Sequence, residues 1–437
     1  MNENLRNVII SIILCLFIIF GYLQRENMWE QQYLINQQSK HPPRFVGNEK
    51  PCTSSRCRSE HLTCPCNINK TSARPGTRSD NTTALNKASL LDYLRDNLTS
   101  YFDEKKNKRP KPAICPSENS HKWDFNCVSH CPDMPHLSAT SDRAQVSIKC
   151  KNKPTIKLEN VKQVTPIQSF PENSECISEF VMQNCYDGNP VPSLVHYIWF
   201  SKKEMNFYHF LSFLSASKFL KPCLIMVHGD YLPFGFYWDY LLNLVPNIIH
   251  MQRNPPEDVF GIPLGNIEHK ADVGRIQALQ RFGGIYMDTD EIILRSLDNL
   301  RKYPFTLSHA VDHNLSNGLI LSEKNAAFLR KWFAEYKTYS KVQWAYHSTI
   351  VPNLLSEKYP DLIHVENKTF VRPNYTQLRL LFEMNFDWSK NYAIHLYIRF
   401  YKFIHDFNDI RSLNTTIGSV ARHVLYGSKE LCANSIN

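Results

Sequence analysis

From Asn189-Pro190-Val191-Pro192 onward, short apolar runs alternate with longer amphipathic ones, and this alternation narrows the possible folds more than any other feature. Residues 194–200 (LVHYIWF), 223–227 (CLIMV), 247–251 (NIIHM) and 285–287 are too short and too uniformly apolar for surface helices, so each predicts a strand buried on both faces. Helices are predicted between them at 206–220, 237–244 and 270–282, the last closed by Gly283-Gly284. A further helix through Tyr336 takes Asn325 as its N-cap; its Phe328, Trp332 and Phe333 read as core. Strands alternating with helices predict an α/β fold with a mostly parallel, Rossmann-like sheet flanked by helices. Ligands in such folds bind at the carboxyl ends of the strands.

One such end carries two acids. Residues 281–290 read RFGGIYMDTD. Asp288 and Asp290 alone mean little, because twenty Asp residues in 437 give about one D-x-D by chance. Position gives the pair its meaning. An extended backbone turns residues 288 and 290 to the same side, so two hard oxygen ligands converge on a point fixed by the sheet. Mn²⁺ or Mg²⁺ suits such a site, with phosphate and water filling the remaining positions. On the preceding helix Asp272 and Arg275 lie three apart on one face. There Arg can donate to phosphate or sugar oxygens and Asp can accept from sugar hydroxyls; an ordinary surface ion pair is the competing reading.

The N-terminal half has a different character. Residues 8–23 (VIISIILCLFIIFGYL) carry no charge, and as a helix they span about 24 Å, short of a ~30 Å bilayer core. No small-residue cleavage site follows, which favours a retained anchor with residues 1–7 in the cytosol. Residues 24–187 are rich in Asn, Ser, Thr, Lys and Pro without sustained apolar period, and read as a luminal, Cys-rich, partly disordered stem. Residues 188–437 form the predicted catalytic domain. Twelve cysteines follow the anchor, an even number that suits disulfides in an oxidising compartment. Cys64-Pro65-Cys66 and the Cys127/Cys131 pair lack finger-like partners for zinc. Seven N-x-S/T sequons, at Asn69, Asn81, Asn97, Asn314, Asn367, Asn374 and Asn414, exceed the roughly four expected by chance and agree with a lumen. The net charge of +9 suits a phosphate-bearing partner, but no Lys/Arg run interleaves with aromatics as a nucleic-acid groove requires.

Residues 269–300 (HKADVGRIQALQRFGGIYMDTDEIILRSLDNL) resemble the DXD-type sugar transferases of glycosyltransferase family 32, which include α1,4-galactosyl-, α1,4-N-acetylglucosaminyl- and yeast α1,6-mannosyltransferases. Asp272, Arg275, Gly283, Gly284, Ile285, Tyr286, Asp288 and Asp290 match in register; Ala271 stands where the family often has Ser. Weaker likeness extends over about 190–400, through 191–199 (VPSLVHYIW), Asn317-Gly318-Leu319-Ile320 and 392–396 (YAIHL), and leaves the stem uncovered. The resemblance implies a GT-A fold, a UDP-sugar donor, Mn²⁺ and retention of anomeric configuration. It implies a Golgi type II membrane enzyme moving a hexose or N-acetylhexosamine, galactose or N-acetylglucosamine favoured, to a glycan acceptor on lipid or protein. It places Asp272, Arg275, Tyr286, Asp288, Trp199 and Asn317 around the donor, with Trp199 near the base, and Asp288, Asp290 and His395 around the metal. Each has a plainer alternative: Trp199 a core aromatic, His395 a satisfied core histidine, Asn317 a loop terminus. His196 reads as structural.

Negative charge builds on the leaving diphosphate during such a transfer, and a cation bridging the phosphates neutralises it. No nucleophile is legible; Glu291 and Asp312 are candidates without geometric support. A D-x-D-x-T/V phosphatase is disfavoured by Ile292 at the fourth position. The remaining rival is a catalytically inactive, membrane-tethered carbohydrate-binding protein on the same fold.

Overall fold

The computed structural model describes residues 127–128, 131, 148–150, 167–311, 314–342 and 344–432. The predicted anchor, most of the stem with Cys64 and Cys66, and Asp312 lie outside the described residues. Among the described residues no helix is long and apolar enough to cross a membrane.

The principal elements run β1 (Ser169–Pro171), α1 (Glu175–Asn184), β2 (Leu194–Ile198), α2 (Phe207–Ser215), β3 (Leu224–Gly229), α3 (Phe236–Leu244), β4 (Ile248–Gln252), α4 (Ile267–Phe282), β5 (Gly284–Met287) and β6 (Glu291–Ile293). They continue β7 (Phe305–Val311), β8 (Asn314–Ser322), α5 (Ala327–Glu335), α6 (Val351–Lys358), β9 (His364–Glu366), β10 (Ala393–His395) and α7 (Thr416–Tyr426). Eight strands form one sheet in the order β9-β7-β8-β5-β2-β3-β4-β1. All neighbours are parallel except where β8 runs against β5 and β7. The fold is thus α/β with a large, mostly parallel sheet, as the alternation of apolar runs predicts. Strands β2 and β3 are buried along their whole length, the reason their sequences show no period of two.

The joints follow local chemistry. The Asn206 side chain accepts from the Tyr208 and His209 amides and caps α2. Helix α4 ends where Gly283 and Gly284 take φ of +68° and +109°. A Cβ on Gly284 would stand 2.6 Å from the Leu194 carbonyl oxygen, and one on Gly283 2.7 Å from the Lys324 amide nitrogen, so both positions need glycine. Helices α4 and α5 pack Val273, Ile276, Leu279, Phe328 and Trp332 into one core, and α1 with β1, β3 and β4 forms another around Phe170, Ile177, Met226 and Ile249. Truncating a side chain as buried as Phe328 to alanine costs about 3–5 kcal/mol.

Three histidines lie buried on adjacent strands. His196 Nε2 lies 2.7 Å from the Gly283 carbonyl oxygen, and His196 Nδ1 is 2.9 Å from His228 Nε2. His250 Nε2 meets the Gly229 carbonyl at 3.0 Å while its Nδ1 faces the Ser169 hydroxyl at 2.7 Å. Neutral Nε2–H tautomers satisfy every one of these contacts. Burial pulls His196 down to about 4, so it is structural and uncharged, as expected.

Three local expectations change. Asn325 does not cap α5: it takes φ of +54°, and the N-cap is Ala326. Helix α4 begins three residues earlier than predicted, at Ile267. The sheet also reaches into the region read as stem, since Ser169–Pro171 pairs with β4 and forms one edge. Among the described residues three disulfides join Cys131 to Cys432, Cys150 to Cys176 and Cys185 to Cys223, so two of them fasten residues before 167 to the sheet domain.

Candidate metal and donor site

Strand β5 lies between β2 and β8, and the chain leaves it at Asp288. The Asp288 amide donates to the Gly318 carbonyl at 2.7 Å, a last rung against β8. The Glu291 amide then donates to the Asp288 carbonyl at 3.0 Å. Residues 288–291 are therefore a β-turn, not the extended stretch expected from the sequence. The two carboxylates still converge, because the turn folds Asp290 back while β6 departs to pair antiparallel with β10. That pairing sets His395 opposite Glu291.

Each carboxylate has one oxygen held and one directed at the same imidazole. Asp288 Oδ1 accepts from the Tyr286 hydroxyl at 2.6 Å and lies 3.2 Å from Arg275 Nη1. Its Oδ2 lies 3.8 Å from His395 Nε2. Asp290 Oδ2 accepts from the Ile398 amide at 3.0 Å, and Oδ1 is 3.1 Å from His395 Nε2. Asp288, Asp290 and His395 each offer a ligand atom, and these atoms lie within 4.8 Å of one another. Two carboxylates and one imidazole converging this closely fit a divalent cation.

The charges explain the titration of the cluster. Burial opposes the charge on His395, yet Asp290, Glu291 and Asp288 outweigh it and hold the imidazole protonated up to about 9. Burial likewise opposes ionisation of Asp290, but His395 and the Ile398 amide bring it down to about 2. Glu291 is pushed up to about 8, chiefly by burial, with His395 opposing and the two aspartates adding. Its carboxylate is 0% exposed; Oε2 stands 3.4 Å from His395 Nδ1, on the far side of the ring from the aspartates. Neither oxygen of Glu291 has a hydrogen-bond partner. Gly318 makes room, because a Cβ there would lie 3.0 Å from the His395 ring and 3.1 Å from Glu291 Oε2.

The remaining predicted donor residues occupy a layer behind the carboxylates. Arg275 spends most of its five N–H groups inside the protein: Nη1 on the Asn317 carbonyl at 2.6 Å and on Asp288, Nη2 on Asp272 at 3.2 Å, Nε on the Ala271 carbonyl at 3.4 Å. Its guanidinium also covers the Tyr286 ring at 4.5 Å. The Asn317 amide donates to Asp272 Oδ1 at 2.8 Å. Arg275, Tyr286 and Asn317 therefore position Asp288 and Asp272 rather than reaching outward. Trp199 is 4% exposed, with its edge against His209 at 5.1 Å, which is the packing of a core aromatic and not of an open stacking face.

Sequence reasoning missed Tyr397, whose ring stacks on His395 at 4.0 Å, and the place of Glu291 behind that histidine. A charged residue inside the apolar run EIIL was the available signal for Glu291.

Residues 236–306 match the model of a family described as "Glycosyltransferase sugar-binding region containing DXD motif". Over these residues the chain resembles the DXD-containing glycosyltransferases. The chain is 33% identical over 232 residues to Glucan organizing enzyme 1 of Cryptococcus neoformans var. grubii serotype A, covering 48% of this chain and 63% of that protein. It is 27% identical over 99 residues to an uncharacterized protein of Arabidopsis thaliana, covering 21% of this chain and 15% of the other. The chain thus spans less than two thirds of either relative's length. Among solved structures, the PaToxG glycosyltransferase overlays 39% of this chain and 70% of its own at 15% identity, with a TM-score of 0.29.

Proposed function

We propose that this chain is a metal-dependent glycosyltransferase of GT-A type that moves a sugar from a UDP-sugar donor to a glycan acceptor on lipid or protein, with retention of configuration. A hexose or N-acetylhexosamine is the expected cargo, with galactose or N-acetylglucosamine favoured. The observation that carries this reading is the convergence of Asp288, Asp290 and His395 at the carboxyl end of β5, backed by Asp272 and Arg275. The mixed ligand set favours Mn²⁺ over Mg²⁺, because an imidazole suits a softer ion than Mg²⁺. A bound cation supplies charge stabilisation to the departing diphosphate.

The protein's part is to hold the ligands still. Arg275 and the Tyr286 hydroxyl anchor one oxygen of Asp288, and the Ile398 amide anchors one oxygen of Asp290, leaving the other oxygens to face the ion. A covalent glycosyl-enzyme would need a carboxylate open to the sugar's C1. Glu291, the candidate among the described residues, is not open, being wholly buried behind His395, which favours attack from the face of the leaving group. Three disulfides and the apolar segment 8–23 support a type II protein anchored in the Golgi membrane with this domain in the lumen.

The test is a donor panel. Full-length protein is assayed with UDP-sugars and other nucleotide sugars, in Mn²⁺ or in chelator, beside Asp290→Asn. Metal-dependent donor hydrolysis or transfer is expected in the wild type alone. Equal turnover by wild type and Asp290→Asn, or turnover indifferent to chelator, rejects the reading.

A further inference from the structure

Four of the seven sequons fall within the described residues, and the fold treats them differently. Asn374 is 4% exposed; its Nδ2 donates to the Ala310 carbonyl at 3.3 Å, and its Oδ1 accepts from the Thr376 amide and hydroxyl at 3.0 and 2.8 Å. Asn414 is half-buried with Oδ1 bound to Asn385 Nδ2 at 3.0 Å, and its Thr416 is 0% exposed. Asn314 is half-buried in β8, its Oδ1 is closed off from solvent, and its Ser316 is 6% exposed. A branched sugar on Asn374 requires its buried, hydrogen-bonded Nδ2 to leave its place.

Asn367 is exposed. It follows the last residue of β9 and opens a turn in which the Lys368 amide donates to the Glu366 carbonyl at 3.2 Å and Lys368 takes φ of +68°. Among the described residues strand β9 is the outermost strand on its side of the sheet, paired only with β7. All three residues of β9 are half-exposed, and Glu366 takes the His364 ring at 2.8 Å and the Thr369 hydroxyl at 2.8 Å. An edge strand offers unpaired backbone groups to other chains, and proteins cover such edges.

We propose that Asn367 is an N-glycosylation site of this domain, and that its glycan screens the β9 edge from pairing with a second chain. The inference rests on the luminal address proposed above. The modification joins the Asn367 side-chain nitrogen to a sugar C1, and the lipid diphosphate that carried the glycan departs. The glycan adds bulk and hydration at the point where the edge would otherwise lie open.

The full chain is produced in a eukaryotic secretory host, and its glycans are removed enzymatically in heavy-oxygen water, which marks each occupied Asn as a labelled Asp. Peptide mass spectrometry then reads every sequon. Asn367 is expected occupied in most molecules and Asn374 in none. Glycans at Asn69, Asn81 or Asn97 with Asn367 bare overturn the site and leave the luminal address standing. No glycan on any sequon overturns both together. An occupied Asn374 in folded protein overturns the accessibility argument. For the screening role, native protein is deglycosylated and compared with Asn367→Gln by light scattering. Both are expected to self-associate at least several-fold more than the glycosylated protein; unchanged scattering in both rejects screening.

Discussion

Glu291→Gln isolates the contribution of a buried carboxylate to metal binding. Glutamine keeps the volume of a side chain that is 0% exposed, so no cavity opens. Were His395 Nε2 to hold a metal, Nδ1 would carry the ring's hydrogen, and Glu291 Oε2, 3.4 Å away and not hydrogen-bonded in the metal-free protein, is placed to close on it as acceptor. A hydrogen bond to a charged acceptor contributes about 1.5–3 kcal/mol and one to a neutral amide about 0.5–1.5 kcal/mol. The difference, about 1–2 kcal/mol, corresponds to a Mn²⁺ affinity roughly 5–30-fold weaker. Calorimetric titration of Mn²⁺ into wild type, Glu291→Gln, His395→Ala and the double variant reads the effect directly. The loss should vanish in the His395→Ala background, because the carboxylate acts through the imidazole. An unchanged Kd, or the same loss with His395 absent, refutes the reasoning.

Asp290→Asn removes a metal ligand and should lower metal-dependent kcat/KM by about 10³ or more, read by release of the nucleotide diphosphate. Arg275→Lys cannot reproduce the fork that holds Asp288, Asp272 and the Asn317 carbonyl, and should cost about 10² in kcat/KM with the fold intact by circular dichroism. His395 keeps its proton up to about 9 without metal, so each ion bound at pH 7 should release at least one proton and affinity should climb as pH rises toward 9. Titration in two buffers of different ionisation enthalpy counts that proton, and a count near zero contradicts the assignment. The same raised value makes the metal-free protein most stable below about 6.5, with that contribution lost as pH rises through about 9. Melting temperatures across that window should fall for wild type and stay flatter for His395→Ala.

The strands were legible because they are buried on both faces, which leaves long apolar runs that no surface element would tolerate. The Gly283-Gly284 joint was legible because only glycine takes those angles. Strand β1 was not, because three residues at a sheet edge carry no period and take their place through pairing with β4. The site shows the same division. Asp288 and Asp290 stand in the sequence two apart, yet the turn that aims them depends on a hydrogen bond back to Asp288. His395, 105 residues beyond Asp290, entered by resemblance alone. Arg275 stands out in the sequence by its spacing from Asp272, but spacing cannot show that its N–H groups meet Asp272, Asp288 and two backbone carbonyls.

The antiparallel pair of β6 and β10 has a consequence for how the molecule is made. Synthesis delivers β5 and the turn at Asp288 long before His395, and most strands of the sheet precede residue 323. A chain emerging from the ribosome can thus assemble nearly all of its sheet while its cation site lacks one wall. The site closes only when residues 393–395 arrive to pair with β6, and the Cys131–Cys432 bridge, spanning 301 positions, can form only later still. Ion capture thereby becomes a test of completeness: a chain cut short before residue 395 carries the residues of all eight strands of the main sheet but lacks the third ligand.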